Sequence, residues 1–382
     1  DVVTLPQLFK QAGYFTRSIG KVNHNFTVKN DDDGPSWSVP AVLHWGSHGK
    51  DVAVMPAGVP VPPNLSDVHS TEMRAVPDEA YIDGRVAATA IAALQDLKQK
   101  GEPFFLAVGF WKPHRPFNPP KRYWDLYRPE DIPDPVPFTA ASNVPALALE
   151  SQLPDLVKAA AESPEARRTL RWGYYAATSY LDAQVGRVVD ELDRLGLGDN
   201  TIIVFWSDHG FMLGEHSMWG KTSCFELDAR VPLIIVPPGG THPATRTLAL
   251  AELLDLYPTI AEMGGLTPPA DLDGVSLCPA VADPFAVVQT AAFTEHPRPW
   301  AMTPPVSGSE ADAMGYSVRD ARYRYTEWRE WKTGRTLGTE FYDHDTDPIE
   351  NVNLAADPAA AATIERLRRR LEKQFPRGSL SK

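Results

Sequence analysis

Three apolar runs, "YFTRSIG", "PFFLAVGF" and "TIIVFW", each break off into a polar cluster: "KVNH" (21–24), "KPHRPF" (112–117) and "SDHG" (207–210). Helix-like segments lie between them. Strands that alternate with helices argue for a sheet covered on both faces. In such sheets the carboxyl ends of parallel strands share one edge, and ligands bind there. A further cationic element, "WGK" ending at Lys221, follows the last cluster. The pattern predicts an α/β fold with its chemistry gathered along one edge.

The segments around these strands can be assigned from spacing. Thr4 caps a short helix whose apolar side is Leu5, Leu8 and Phe9, and Gly13 stops it. Val86, Ala90, Ala93, Leu94 and Leu97 place a stripe on a helix over 78–100. A longer helix over 164–195 carries Leu170, Tyr174, Ala177, Leu181, Val185, Val188 and Leu192 at core spacing. "VPLIIVPP" reads as a strand and "LLDLYPTIAEMG" as a helix. Residues 28–77 form a long Asp-, Gly- and Pro-rich loop region, of the kind more often functional than idle. Residues 118–163, rich in Pro and Ala, are expected to wrap the surface. Beyond residue 282 the pattern changes to alternating antiparallel strands ("AAFTEH", "GYSVRDARYRYTEWRE", "TEFYDH") and a closing amphipathic helix. A main α/β domain over 1–282 and a smaller α+β subdomain over 283–382 are expected.

With 37 basic against 49 acidic residues the net charge is −12, which argues against a nucleic-acid partner. A local cationic pocket for a small anion is compatible with that balance. Cys224 and Cys278 form no disulfide framework and no CxxC motif, and both are expected to be ordinary core or loop residues. No apolar run reaches the roughly 18–20 residues of a membrane helix. The chain opens on "DVVTLPQLF" without methionine and is expected to be a piece of a longer protein, so the missing signal peptide leaves localisation open. The triplets at Asn25 and Asn64 match glycosylation acceptors, but such triplets are common by chance.

Taken singly, His24 and His114 are hydrogen-bonded loop histidines, Asp208 a helix cap, and Lys21 and Lys221 solvated charges. Glu215 and His216 are expected to be structural. Together the strand-end residues suit transfer of a doubly charged oxyanion group. Asp208 and His209 can hold a hard cation that polarises S–O or P–O bonds. Lys21 and Lys221 can neutralise the equatorial oxygens, and His24 and His114 can carry protons. A nucleophile is the part not found.

At this point the chain resembles the sulfatases of the alkaline phosphatase superfamily, nearest to the iduronate-2-sulfatase-like branch. The resemblance rests on "TLPQLFKQAGYFTRSIGKVNH", "DDDGPSWSVP", "PFFLAVGFWKPHRPF", "SYLDAQVGRVVDELDRLGLGDNTIIVFWSDHGFMLGEHSMWGKTS", "MGYSVRDARYRYTEWRE" and "FYDHDTDPIENVNLA", in the family's order over nearly all 382 residues. It implies a central mixed, largely parallel sheet flanked by helices, and a C-terminal antiparallel sheet. It implies calcium-dependent hydrolysis of a sulfated saccharide by a formylglycine nucleophile. By that resemblance Asp208 and His209 are metal ligands, and Lys21 and His24 flank the formylglycine. His114 matches the acid to the leaving alcohol, and Lys221 the sulfate-binding lysine. Asp32 falls where the branch shapes its substrate pocket. Phe211 stands where a tryptophan is expected after "SDHG", a departure that bears on sugar recognition. Family members are secreted, periplasmic or lysosomal.

The C/S-x-P-S-R motif that yields formylglycine, and the two leading metal-binding aspartates, are not in the sequence. They are expected upstream of residue 1, along with the remaining ligands of one calcium ion and the first strand of the sheet. On that expectation the chain is inactive alone and binds calcium weakly. A phosphodiesterase or phosphonate hydrolase of the same superfamily, and a non-catalytic binder of sulfated glycans, are the alternatives.

Overall fold

The Thr4 hydroxyl accepts from the Gln7 N–H at 3.2 Å, and the Gln7 side chain accepts from the Thr4 N–H at 3.3 Å. This reciprocal box starts helix α1 (Leu5–Gln11). The structure is a computed structural model that describes residues 2–24, 33–44, 56–59, 71–136, 139–150, 153–239, 245–299 and 312–377. Strand β1 (Phe15–Gly20) follows, then α2 (Ile82–Lys100) and β2 (Phe104–Gly109). β1 and β2 pair in parallel from Phe15–Phe104 to Gly20–Gly109. The last pair must be glycine. A Cβ on Gly109 would lie 2.0 Å from the Lys21 carbonyl, and one on Gly20 would lie 2.0 Å from the Gly109 carbonyl.

Next come α3 (Lys121–Trp124), α4 (Pro154–Glu162), α5 (Pro164–Arg194) and β3 (Ile203–Trp206). A hairpin of β4 (Met212–Leu213) and β5 (Trp219–Gly220) leads through α6 (Glu226–Ala229) to β6 (Leu233–Val236). β6 runs antiparallel to β3, so parallel and antiparallel pairs both occur in the α/β fold, as two separate two-stranded sheets among the described residues. α7 (Leu256–Met263) and α8 (Cys278–Ala282) precede the C-terminal strands β7 (Ala292–Arg298), β8 (Ala313–Arg319), β9 (Tyr323–Glu330) and β10 (Thr336–Asp343). These four form one antiparallel sheet in the order β10-β9-β8-β7. α9 (Ala361–Gln374) lays Leu367 and Leu371 on that sheet against Val318, Tyr325 and Phe341.

The cores follow the sequence stripes. Val86, Ala90 and Ala93 of α2 pack on Ile19, Leu106 and Val108 of β1 and β2. Phe9, Leu256 and Ile260 gather Phe105 of β2, Val204 of β3 and Leu233 of β6, so α1 and α7 cover both strand pairs. Each fully buried aliphatic or phenyl side chain contributes about 1.5–3 kcal/mol. Two expectations shift. On α5 the fully buried line runs through Gly173, Ala177, Tyr180 and Gln184, while Leu181 and Val185 are half-buried. Gly173 is forced there, because a Cβ would come within 2.8 Å of both Phe117 and Trp124. Residues 118–163 do more than wrap the surface, since Trp124, Leu156 and Ala160 are buried at 1% or less of their area. Among the described residues no helix is long and apolar enough to cross a membrane.

Candidate active site

β1 delivers Lys21 and His24, β2 delivers the 111–116 turn, and β3 delivers Ser207, Asp208 and His209. The β4–β5 hairpin folds Lys221 back onto them. Lys21 Nζ lies 3.0 Å from Asp208 Oδ2, and Lys221 Nζ lies 2.7 Å from His209 Nε2. His24, His114, Asp208, His209, Phe211 and Lys221 all line one cleft of about 2300 Å³. The cleft is larger than the roughly 300–1,000 Å³ of a drug-sized site. Of the sequence candidates, Asp32 lies outside the described residues, as do the triplet asparagines Asn25 and Asn64. The Phe211 ring rests on Tyr174 and Phe117, with centroids 5.4 and 6.3 Å away, so it is an apolar wall of the cleft.

The supporting residues were not singled out in the sequence. α6 ties down two loops at once: Gly210 N donates to the Asp228 carbonyl at 2.8 Å and Phe211 N to the Leu227 carbonyl at 3.1 Å. The Asp228 carboxylate accepts from Ser223 N at 3.0 Å and Ser223 Oγ at 2.6 Å, which fixes the turn just after Lys221. Under His114, the buried Asp83 carboxylate of α2 accepts from Trp111 N and Lys112 N, both at 2.8 Å. Lys112 Nζ donates to the carbonyls of His114 at 3.2 Å and Pro116 at 2.7 Å. The "KPH" run had shown Lys112, but a lysine in a polar run carries no sign that it will be buried. Asp83→Asn leaves the shape and removes one acceptor of this clamp. We expect a loss of about 1–3 kcal/mol, read as a lower urea midpoint, with the His114 turn loosened. Glu215 and His216 are structural, as expected: Glu215 pairs with Arg171 at 2.8 Å, and His216 stacks on Phe225 with centroids 4.6 Å apart.

Charge in the cleft is set by burial and by the lysines. Burial, then Lys21 and Lys221, pulls the His24 imidazole below its usual value. Burial and Lys221 lower His209 in the same way. His114 is pulled down to about 3 by burial first and Lys221 second. Burial also lowers the Lys221 ammonium to about 8. Burial pushes the Asp208 carboxyl up, but His209, Lys21 and Lys221 outweigh it and hold it below the carboxylate range.

The donor chemistry of Asp208 and His209 fits a cation. His209 Nδ1 lies 2.8 Å from the Gly210 carbonyl, which can only accept, so Nδ1 carries the proton and Nε2 the lone pair. That is the tautomer of a metal-ligating imidazole, with its other nitrogen fixed by a carbonyl. Asp208 Oδ1 lies 3.6 Å from the same Nε2. Two donors so spaced can share one cation. A second group with metal-like spacing, Glu226, His344 and Glu350, is already filled. Arg324 Nε donates to Glu350 Oε1 at 2.6 Å, and its Nη2 pairs with Glu226. A guanidinium is the cation of that cluster.

The family profile described as Sulfatase matches residues 1–266, and that described as N-sulphoglucosamine sulphohydrolase, C-terminal, matches residues 214–376. The chain belongs to the sulfatase family. Iduronate 2-sulfatase of Homo sapiens is 32% identical over 423 residues, which cover 93% of this chain and 76% of that protein. Choline-sulfatase of Rhizobium meliloti is 29% identical over 94% of this chain and 68% of its own length. Among solved structures, phosphonate monoester hydrolase from Silicibacter pomeroyi superposes with a TM-score of 0.72 at 24% identity, covering 100% of this chain and 82% of that one. A protein solved in complex with its substrate D-glucosamine-2-N,6-O-disulfate gives 0.68 at 20% identity, covering 98% of this chain and 82% of that one. This sulfatase is therefore a sulfuric ester hydrolase with the fold expected from its sequence.

Proposed function

We propose that the sulfatase removes sulfate from a short sulfated saccharide, in the manner of the iduronate-type branch. The supporting observation is the convergence of Lys21 and Lys221 on Asp208 and His209 in a cleft of a protein whose net charge is −12. Such a local cationic focus draws an anionic ester into an otherwise acidic molecule. Lys21 and Lys221 hold the sulfate oxygens and neutralise the charge that builds on them in the transition state. Asp208 and His209 would hold calcium as two of its ligands. Bound calcium supplies Lewis-acid polarisation of the S–O bond, and formylglycine supplies the nucleophilic oxygen. His24, its imidazole lowered by burial and the lysines, takes the proton that the nucleophile's hydroxyl gives up.

His114 hands a proton to the departing alkoxide. Its Nδ1 lies 2.6 Å from the Arg115 carbonyl and so carries a proton, leaving Nε2 to exchange one. With its value held at about 3 in part by Lys221, it is a weak carrier until an anion offsets that lysine. Bound sulfate is expected to move the His114 titration upward in an NMR pH series, and an unmoved titration would remove the acid role. The same depression has a stability sign. The unfolded histidine, at 6.5, binds a proton that the folded one refuses, so stability falls as pH drops from about 6.5 toward 3. A urea midpoint that declines across that window checks it.

The reading also assigns the catalytic groups to residues 1–282, with 283–382 as a supporting subdomain. It is tested with protein expressed from its whole coding sequence together with a formylglycine-generating enzyme. Sulfate release from 2-sulfated uronate disaccharides that needs calcium and disappears in His114→Ala supports it. A second reading comes from the phosphonate monoester hydrolase described above, which shares this fold. Faster turnover of phosphonate monoesters than of any sulfate ester would replace the first reading by that one.

A further inference from the structure

Arg115 lines the same cleft as His114 and Lys221 but has no part in the chemistry above. Its guanidinium Nη1 donates to Asp155 Oδ2 at 2.5 Å, and the two side chains keep 32% and 56% of their area exposed. The charge of Arg115 reaches Lys221, since it contributes to lowering that ammonium. The cleft therefore contains a second cationic position beside the sulfate-binding lysine, and that position already holds a carboxylate. Asp155 stands in the first turn of α4, where the helix end favours a negative charge. It can give up Arg115 and remain stable in water. An exposed pair of this kind is worth roughly 0–1 kcal/mol, so a ligand carboxylate can displace it at little cost. A planar guanidinium is suited to take a carboxylate through two parallel hydrogen bonds.

We propose that Arg115 binds the carboxylate of a sulfated uronate while the sulfate sits at Lys21 and Lys221, with Asp155 holding the arginine ready when the cleft is empty. The inference rests on the sulfated-saccharide reading and adds which sugars it favours. Arg115 is a specificity residue, and Asp155 competes with the substrate.

Equilibrium binding to protein expressed from its whole coding sequence, with calcium present and without the formylglycine-generating enzyme, tests it without turnover. Titration calorimetry would compare a 2-O-sulfated uronate disaccharide with its carboxyl-reduced counterpart. The wild type should prefer the carboxylate form. Arg115→Ala should weaken that form about 10-fold or more and leave the reduced form within about two-fold. Asp155→Ala should tighten the carboxylate form several-fold, an effect a merely structural strut would not produce. Equal effects of either substitution on both ligands would overturn the assignment, as would a preference unchanged in Arg115→Ala. Binding of both ligands without dependence on Arg115 sinks this inference alone. Failure of the wild type to bind either sinks the saccharide reading with it.

Discussion

Lys221→Ala should lower sulfate ester turnover by about 100–1,000-fold, the usual effect of removing one donor aimed at developing charge. The ammonium sits 2.7 Å from His209 Nε2 and is lowered to about 8 by burial. At pH 7 it is charged and poorly solvated, so it gains most when an anion arrives. Two further readouts separate this role from damage to the fold. The folded lysine loses its proton before the unfolded one, so below about pH 8 its charge opposes folding. As pH rises from about 8 toward 10.5 the unfolded state binds more protons, and stability should rise in the wild type but not in the variant. In the variant His114 loses the second contributor to its depression, and its titration should move up from about 3. A variant that keeps wild-type turnover, with His114 unmoved, would remove Lys221 from the site.

The strand-end clusters were legible because local signals sufficed. A strand, a glycine and a charged group adjacent in sequence fix where β1, β2 and β3 point their ends, and the strand pairs β1–β2 and β3–β6 bring Lys21 to Asp208 and set His114 in the same cleft as Asp208. Lys221 was visible for the same reason, although the β4–β5 hairpin that returns it was not, since each strand is two residues long. What escaped was long-range polar support. Asp83 lies on a helix face that reads as ordinary first-turn acid, yet it clamps the backbone at 111 and 112. Its partners are backbone N–H groups, which look the same in every sequence. The α5 stripe was right at Leu170, Ala177 and Leu192 but shifted between them for a related reason. Side-chain size suggested Leu181 and Val185, whereas close approach of Phe117 and Trp124 selected Gly173. Arg115 was in plain view in "KPHRPF", but only the fold places Asp155 against it.

The largest expected effect on stability comes from Arg324→Met. Arg324 is 2% exposed, Glu350 is fully buried, and the guanidinium also pairs with Glu226 while its Nη1 reaches Ser317 Oγ at 3.2 Å. Removing the arginine leaves the fully buried Glu350 with His344 at 2.8 Å as its remaining side-chain partner, while Glu226 keeps Arg319 at 3.4 Å, a loss of about 3–5 kcal/mol. The pH dependence carries the sign. Burial pushes the Glu350 carboxyl up, but Arg324 and His344 outweigh it and hold it below 4.5. The wild-type pairing is thus fully present above that pH and lost as pH falls through the folded value. In the variant the carboxylates take up protons instead, so the stability deficit should be largest at neutral pH and narrow in acid. Function should fail before the fold does. Glu226 opens α6, and α6 holds both Ser223 beside Lys221 and Gly210 beside His209. Anion binding at the lysines should therefore weaken at denaturant concentrations where the C-terminal sheet is still intact by far-UV circular dichroism. Anion binding that outlasts the sheet signal would mean that the cluster supports the sheet alone and that the site is positioned independently of residues 324–350.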